Sequence, residues 1–299
     1  MKIVTFRDGD RIGYGVIDGA EIVDLTTAAQ APPHVRALLD QHGDDLEAAL
    51  GRLAAAASGR VPLDRVTLLA PIPNPRKFLS LGGNYQSHLA ETAKIGMVRS
   101  ATQVWFNKQT SCINGPYLPI EKPVVSDMLD YEGELGVVIG RRCRGVKAGD
   151  AMDYVAGYLI CNDVSVRDWQ LRAPTHMIGK SFDTHGPVGP WLTTCADIPD
   201  PHALRLTTHV NGELRQEAST GDMIARIGDM LEELTTAFTL EPGDILSTGT
   251  PAGVGGLMDP PTYMKVGDVV RIEIEGLGHL ENRVAMQPEP IRPTVPVYP

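Results

Sequence analysis

The chain has 299 residues, 42% of them hydrophobic and 21% charged, the balance of a folded protein long enough to bury a large core. Its 27 basic against 37 acidic residues give a net charge of −10, which argues against nucleic acid or an anionic membrane surface as partner. No run of about 18 apolar residues occurs, so no membrane span is expected, and the early charges of Met1-Lys2-Ile3-Val4-Thr5-Phe6-Arg7-Asp8 do not read as a signal peptide.

Three short strands open the chain, Lys2–Phe6, Arg11–Ile17 and Glu21–Leu25, separated by Asp8-Gly9 and Asp18-Gly19. Those dipeptides suit two-residue hairpin turns whose central residues need positive φ, so an antiparallel meander is expected. Beyond Pro32-Pro33 the apolar spacing turns helical over Val35–Asp40 and Asp45–Ala57, with Gly43 between the two helices. The run Ala70-Pro71-Ile72-Pro73-Asn74-Pro75 reads as a linker, which divides the chain into a small unit at 1–70 and a larger one at 71–299.

The larger unit is strand-rich. Leu135–Ile139, Val155–Cys161, Leu204–Val210, Asp244–Ser247 and Val269–Ile274 are β-branched or alternating runs, while a helix follows Asn84 and another covers Ile224–Phe238. Pro288–Pro299 reads as an extended tail. The expected class is α+β, predominantly β, with peripheral helices. Cys112, Cys143, Cys161 and Cys195 lie far apart without a C-x-x-C pair. Neither a disulfide framework nor a zinc site is expected, and reduced thiols in the cytoplasm are the consistent reading.

Three segments carry chemistry. In Asp130-Tyr131-Glu132-Gly133-Glu134, the two glutamates share one face of an extended chain and precede an apolar strand; they form either an exposed acidic face or half of a cation site. Asp163 follows a second apolar strand and supplies a third oxygen donor, a set suited to Mg²⁺ or Mn²⁺, with Ca²⁺ as an alternative. If Tyr85 onward is helical, His88 and Glu91 lie at i, i+3, either as a solvent-facing ion pair or as a carboxylate-oriented general base behind a Gly82-Gly83 hinge. Arg167, Gln170 and Lys180 supply donors beyond Asp163; Lys180 is either exposed or placed to stabilise an enolate or oxyanion. The loop Gly249–Gly255 lacks the Lys-Ser/Thr of a phosphate loop, and presenting the Thr250 hydroxyl to a carboxylate suits it better.

Taken in order, Gly83-Asn84-Tyr85-x-x-His88-x-x-Glu91, Phe106-x-Lys108, Asp130-Tyr131-Glu132-x-Glu134-Leu135, Asn162-Asp163-x-Ser165-x-Arg167-Asp168-x-Gln170, Gly179-Lys180-Ser181-Phe182-Asp183-Thr184 and Gly249-Thr250-Pro251-x-Gly253-Val254-Gly255 closely resemble the fumarylacetoacetate hydrolase family over about Phe78–Val284. The resemblance implies a mixed β-roll or sandwich catalytic domain, a homodimer, and a small N-terminal α/β domain at 1–70. It makes Glu132, Glu134 and Asp163 the metal ligands, His88 and Glu91 a water-activating dyad on a lid, and Lys180 and Gln170 the oxyanion or enolate partners. Arg167 lies nearby, Lys108 and Thr250 would hold the substrate, and Tyr85 joins the substrate-binding set.

The implied activity is hydrolysis of the C–C bond of a 1,3-dicarbonyl 2-oxo acid of the acylpyruvate or fumarylpyruvate type, through a metal-stabilised enolate, as in aromatic catabolism. The alternatives are an isomerase or decarboxylase of hydroxymuconate-type acids or oxaloacetate, and a non-catalytic binder of small acids. Three positions depart from the family pattern: Gln109 where proline is common, Thr175-His176-Met177-Ile178 where an aromatic residue is frequent, and His185 where a bulky aromatic is frequent. They bear on the distal pocket, as do the lid around Thr92–Ala101 and the loop Gly256–Thr262.

Overall fold

The computed structural model describes residues 1–94, 96 and 100–288; part of the Thr92–Ala101 lid and nearly all of the Pro288–Pro299 tail lie outside them. The meander forms as expected, as strands Lys2–Asp8, Arg11–Asp18 and Glu21–Asp24. Its turns differ from expectation by one residue. Asp8 pairs with Arg11 and Asp18 with Glu21, which leaves Gly9-Asp10 and Gly19-Ala20 as the central residues, with only the glycines at positive φ. Glycine in the first central position is the alternative hairpin solution to the Asp-Gly turn.

The meander continues into the large sheet. Lys2 and Ile3 pair with Thr193 and Leu192 of strand Gly186–Thr194, which is followed across the sheet by Val155–Asn162, Gly133–Ile139, Ile245–Ser247, Phe78–Gly82 and Val104–Lys108. A second sheet runs Glu213–Ser219, Arg205–Val210, Val269–Ile274, Gly278–Met286, Ile120–Lys122. Most pairings are antiparallel; Ile245–Ser247 with Phe78–Gly82, Gly278–Met286 with Ile120–Lys122, and Gly186–Thr194 with Ile113–Asn114 are parallel. The class is α+β and predominantly β.

Every residue of Gly133–Ile139 and Val155–Asn162 is buried, because both faces of the large sheet are covered. Leu135, Val137 and Ile139 pack with Leu206, Ile272 and Leu280 of the second sheet, while Val138 packs with Leu38 and Leu50 of helices Val35–His42 and Leu46–Ala56. At about 2 kcal/mol for each fully buried aliphatic side chain, this double cover anchors the centre of the sheet. Gly43 is required where the helices meet the sheet, since a Cβ there would lie 2.0 Å from the Gly140 carbonyl oxygen.

The expected helix over Ile224–Phe238 is shorter, Ile227–Ala237. Its first turn is taken over by Asn84, whose carbonyl accepts from Ile224 N and whose side chain accepts from Ala225 N and donates to Ala225 O and Thr248 O. Strand Gly186–Thr194 escapes periodicity analysis because two glycines and two prolines interrupt it.

Candidate metal centre and active site

Register brings the chemistry to one end of the large sheet. Gly133 pairs with Asn162 and Asp163 N donates to Glu132 O, so Asp163 stands opposite Glu132, with Glu134 two residues along on the same face, and Ser80 and Ser247 pair across the adjacent parallel strands. Carboxylate oxygens of Glu132, Glu134 and Asp163 all lie within 4.8 Å of one another, and the three side chains are buried. Three buried like charges repel strongly, and the surrounding donors show how the fold tolerates them.

Each carboxylate is held by named donors. Glu132 accepts from Arg167 at 2.5 Å on Oε1 and from Lys180 at 2.7 Å on Oε2. Asp163 accepts from Lys108 at 2.6 Å on Oδ1, and from Lys180 at 2.9 Å and the Ser80 hydroxyl at 3.1 Å on Oδ2. Glu134 accepts from the Ser247 hydroxyl at 2.6 Å and Gly249 N at 2.8 Å, both on Oε2, and its Oε1 accepts nothing among the described residues. Burial works against the Glu132 anion, but Lys180, Arg167 and His88 outweigh it and hold its carboxyl well below the usual range. Burial, reinforced by Asp163 and Glu132, pushes Glu134 well above that range. The cluster therefore holds one carboxyl more than its own cations can keep ionised. An all-oxygen donor set with one such carboxyl and a free Oε1 fits a hard divalent cation.

Lys180 and Lys108 are both buried against the cluster, Lys180 on its cavity side and Lys108 behind it. Burial disfavours the Lys108 ammonium, and Asp163, with Cys112 and Glu132, more than offsets it, so its pKa lies above the ordinary lysine value. Lys108 also donates to the Lys180 carbonyl, fixing the short turn Met177–Lys180 that carries Lys180. Arg167 is clamped twice, by Glu132 and by Asp130, whose Oδ2 accepts from its Nε at 2.8 Å. Asp130 further accepts from Gly255 N and Gly256 N, so it ties Arg167 to the glycine-rich loop.

A cavity of about 520 Å³ opens in front of the cluster, lined by Glu132, Glu134, Arg167, Gln170, Lys180, Thr250, His88 and others. His88 faces it from helix Gln86–Lys94, which has no buried residue. Its Nδ1 lies 3.4 Å from Glu91 Oε2, and Glu91 Oε1 accepts from Gly253 N at 2.9 Å. Thr250 Oγ1 donates to Gly133 O and accepts from Gln216 Nε2 at 2.8 Å. Gln170 Oε1 accepts from Arg167 at 2.9 Å, and the residue lines the cavity.

Two residues expected at the substrate stand elsewhere. Lys108 sits behind Asp163 as its charge partner, outside the cavity wall. Tyr85 is fully buried, its hydroxyl has no hydrogen-bond partner among the described residues, and burial raises its pKa. Among residues the sequence did not single out as site members, Asp130, Ser80 and Ser247 hold the cluster's geometry. Asp130 had a signal in Asp130-Tyr131-Glu132; the serines had none beyond lying in apolar runs.

Comparison with known proteins agrees with this architecture. Residues 77–285 match the family model for the fumarylacetoacetate hydrolase C-terminal domain, and residues 1–71 match that for an Rv2993c-like N-terminal region. The chain is 40% identical over 289 residues to the mitochondrial oxaloacetate tautomerase Fahd2a of Rattus norvegicus, covering 95% of this chain and 91% of that protein. Among solved structures, fumarylacetoacetate hydrolase from Exiguobacterium antarcticum superposes with a TM-score of 0.83 at 36% identity, covering 96% of this chain and 100% of that one. Maleylpyruvate hydrolase from Sphingobium sp. SYK-6, in complex with manganese(II) and pyruvate, superposes with a TM-score of 0.78 at 34% identity over 96% and 100% of the two chains.

Proposed function

The chain belongs to the fumarylacetoacetate hydrolase family, and we propose that it is a divalent-metal-dependent hydrolase cleaving the C–C bond of a 1,3-dicarbonyl 2-oxo acid of the acylpyruvate type. The observation that carries this reading is the His88–Glu91 dyad facing, across one cavity, a cluster of three buried carboxylates. Glu132, Glu134 and Asp163 would hold Mg²⁺ or Mn²⁺. The bound cation supplies Lewis acidity to a chelating 2-oxo acid.

The chain's own residues perform the rest. Glu91, anchored by Gly253 N, orients the His88 ring, and His88 takes a proton from water. The hydroxide so formed adds to the distal carbonyl carbon. Lys180 Nζ and the Gln170 amide neutralise the resulting alkoxide. The alkoxide collapses, the C–C bond breaks, and its electron pair passes to the enolate of the departing 2-oxo acid. His88 returns its proton to the enolate carbon, so a carboxylic acid and the 2-oxo acid leave.

A second reading, keto–enol tautomerisation of oxaloacetate, is favoured by the 40% identity to the rat tautomerase. It needs only the proton relay through His88, with no attack by water. Acetylpyruvate and oxaloacetate incubated with the Mg²⁺- or Mn²⁺-loaded protein, with products followed by NMR, separate the two. Acetate plus pyruvate supports the hydrolase; enol–keto exchange of oxaloacetate without acylpyruvate cleavage transfers the assignment to the tautomerase; neither reaction overturns both. His88→Ala is expected to lower whichever turnover is seen by about a hundredfold to ten-thousandfold with manganese affinity retained, and undiminished turnover removes His88 from the mechanism.

A homodimer belongs to the same proposal. Val124, Val125 and Met286 are large, apolar and exposed, and light scattering reads the mass. So does a cytoplasmic setting, supported by the four free cysteines; no helix among the described residues is long and apolar enough to cross a membrane.

A further inference from the structure

The charge balance of the site limits what it can accept. Asp130, Glu132, Glu134 and Asp163 face Lys108, Arg167 and Lys180. A dication adds two positive charges and leaves the cluster with one in surplus, which matches the single carboxylate of a 2-oxo acid head. The Arg167 charge is already balanced by Asp130 and Glu132, so a carboxylate at the far end of a substrate needs a partner elsewhere on the wall.

His176 is that partner in geometry. It lines the same cavity, four residues before Lys180, with its ring edge-on to Phe106 at 6.2 Å; the Lys180 ammonium lies 5.3 Å from the same Phe106 ring. Its Nδ1 is 3.2 Å from the Gln170 carbonyl oxygen. A carbonyl only accepts, so Nδ1 carries the hydrogen, and Nε2 is left without a partner among the described residues. The backbone at His176 has φ +57°, a left-handed conformation uncommon for a residue with a side chain. This conformation turns the exposed stretch Leu171–Thr175 back into the Met177–Lys180 turn and delivers the imidazole to the cavity. Strain held in place by surrounding structure at a ligand-facing residue is the pattern expected of a functional position.

We propose that His176 is the specificity-determining residue for the far end of the substrate, and that this end carries a carboxylate: the protein selects dicarboxylic over monocarboxylic 2-oxo acids. The inference rests on the reading of the site as a 2-oxo acid site. A carboxylate arriving at Nε2 completes the doubly protonated ring, one proton coming from solvent, and the ring then donates from both nitrogens.

The test measures binding, so it stands apart from turnover. Calorimetry on the Mn²⁺-loaded protein compares 2-oxo dicarboxylates of five to seven carbons with 2-oxo monocarboxylates of equal chain length. At the length that spans the cavity, wild type is expected to favour the diacid by about tenfold, the size of one charge-assisted hydrogen bond. His176→Phe and His176→Gly are both expected to bring that ratio to about one. Glycine accepts the left-handed φ freely, so a loss common to both variants is not a backbone effect. A wild-type ratio near one at every length, or a ratio that survives in both variants, overturns the inference. Failure of the Mn²⁺-loaded wild type to turn over either acetylpyruvate or oxaloacetate overturns the proposed function instead, and leaves the measured ratio to decide on His176 alone.

Discussion

Glu134 and His88 face one cavity from supports of opposite kind. Glu134 stands in a strand whose seven residues are all buried, with Oε2 fixed by a serine hydroxyl and a backbone N–H; His88 stands on a nine-residue helix with no buried residue. The acidic pole is held by the sheet and by five further charged or hydroxylic side chains. The basic pole is held by the 3.4 Å approach of Glu91 and two bonds from the Gly249–Val254 loop to Ser87 and Glu91. The contrast follows from chemistry: a cation site must keep repelling carboxylates together before its ion arrives, whereas a base needs only to be oriented when substrate is present.

The strongest test of that division is at the acidic pole. Glu134→Gln keeps the shape and an acceptor for Ser247 but removes the negative charge a dication requires. Calorimetric manganese binding is expected to vanish and turnover to fall by about a thousandfold or more, with circular dichroism unchanged. Retained manganese affinity means the ion sits elsewhere. A smaller effect separates the two duties of Lys180, whose ammonium bridges Glu132 and Asp163, two of the three carboxylates that would hold a cation. Lys180→Met, of similar length and uncharged, is expected to bind manganese about tenfold more tightly, since a competing positive charge has gone. Its turnover is expected to fall about a hundredfold, since the alkoxide has lost a donor. Weaker manganese binding in this variant shows Lys180 to be a support of the site rather than a competitor for it.

The acidic pole was legible in the sequence where local geometry decides. Glu132 and Glu134 share a face because extended chain alternates, and Asp163 ends a run too apolar to be anything but a central strand. What sequence spacing does not carry is which strands become neighbours. Ser247 and Ser80 reach their carboxylates across 113 and 83 residues, and Lys108 reaches Asp163 across 55, so its part as that carboxylate's partner has no local signature. The basic pole was legible as an i, i+3 pair, yet its docking on Gly253 depends on a loop 162 residues away. The division near residue 70 follows from the proline run Ala70–Pro75, whereas nothing in Gly186–Thr194 advertises a strand, so the pairing of Lys2 and Ile3 with that segment has no local signature.

Burial at the acidic pole has a cost away from the ligands, and His185 exposes it. The ring is fully buried, its Nε2 donates to the Glu121 carbonyl at 2.8 Å, and its Nδ1 has no partner among the described residues. Burial, with Lys108 adding to it, lowers the His185 pKa from 6.5 to about 3. Below pH 6.5 the unfolded chain takes up a proton that the folded one refuses until about pH 3, so His185 adds nothing at neutral pH and destabilises the fold as pH falls between those values. Between pH 7.5 and 5 this amounts to about 2 kcal/mol. His185→Phe cannot titrate and preserves the tilted contact with the Phe182 ring, 5.4 Å away. Urea unfolding of both proteins at the two pH values is expected to show the variant losing about 2 kcal/mol less than wild type on acidification, whatever the lost hydrogen bond to Glu121 costs at pH 7.5. Equal losses in the two proteins mean that the folded state lets a proton reach this ring, and that the acidic pole is more open than its buried side chains imply.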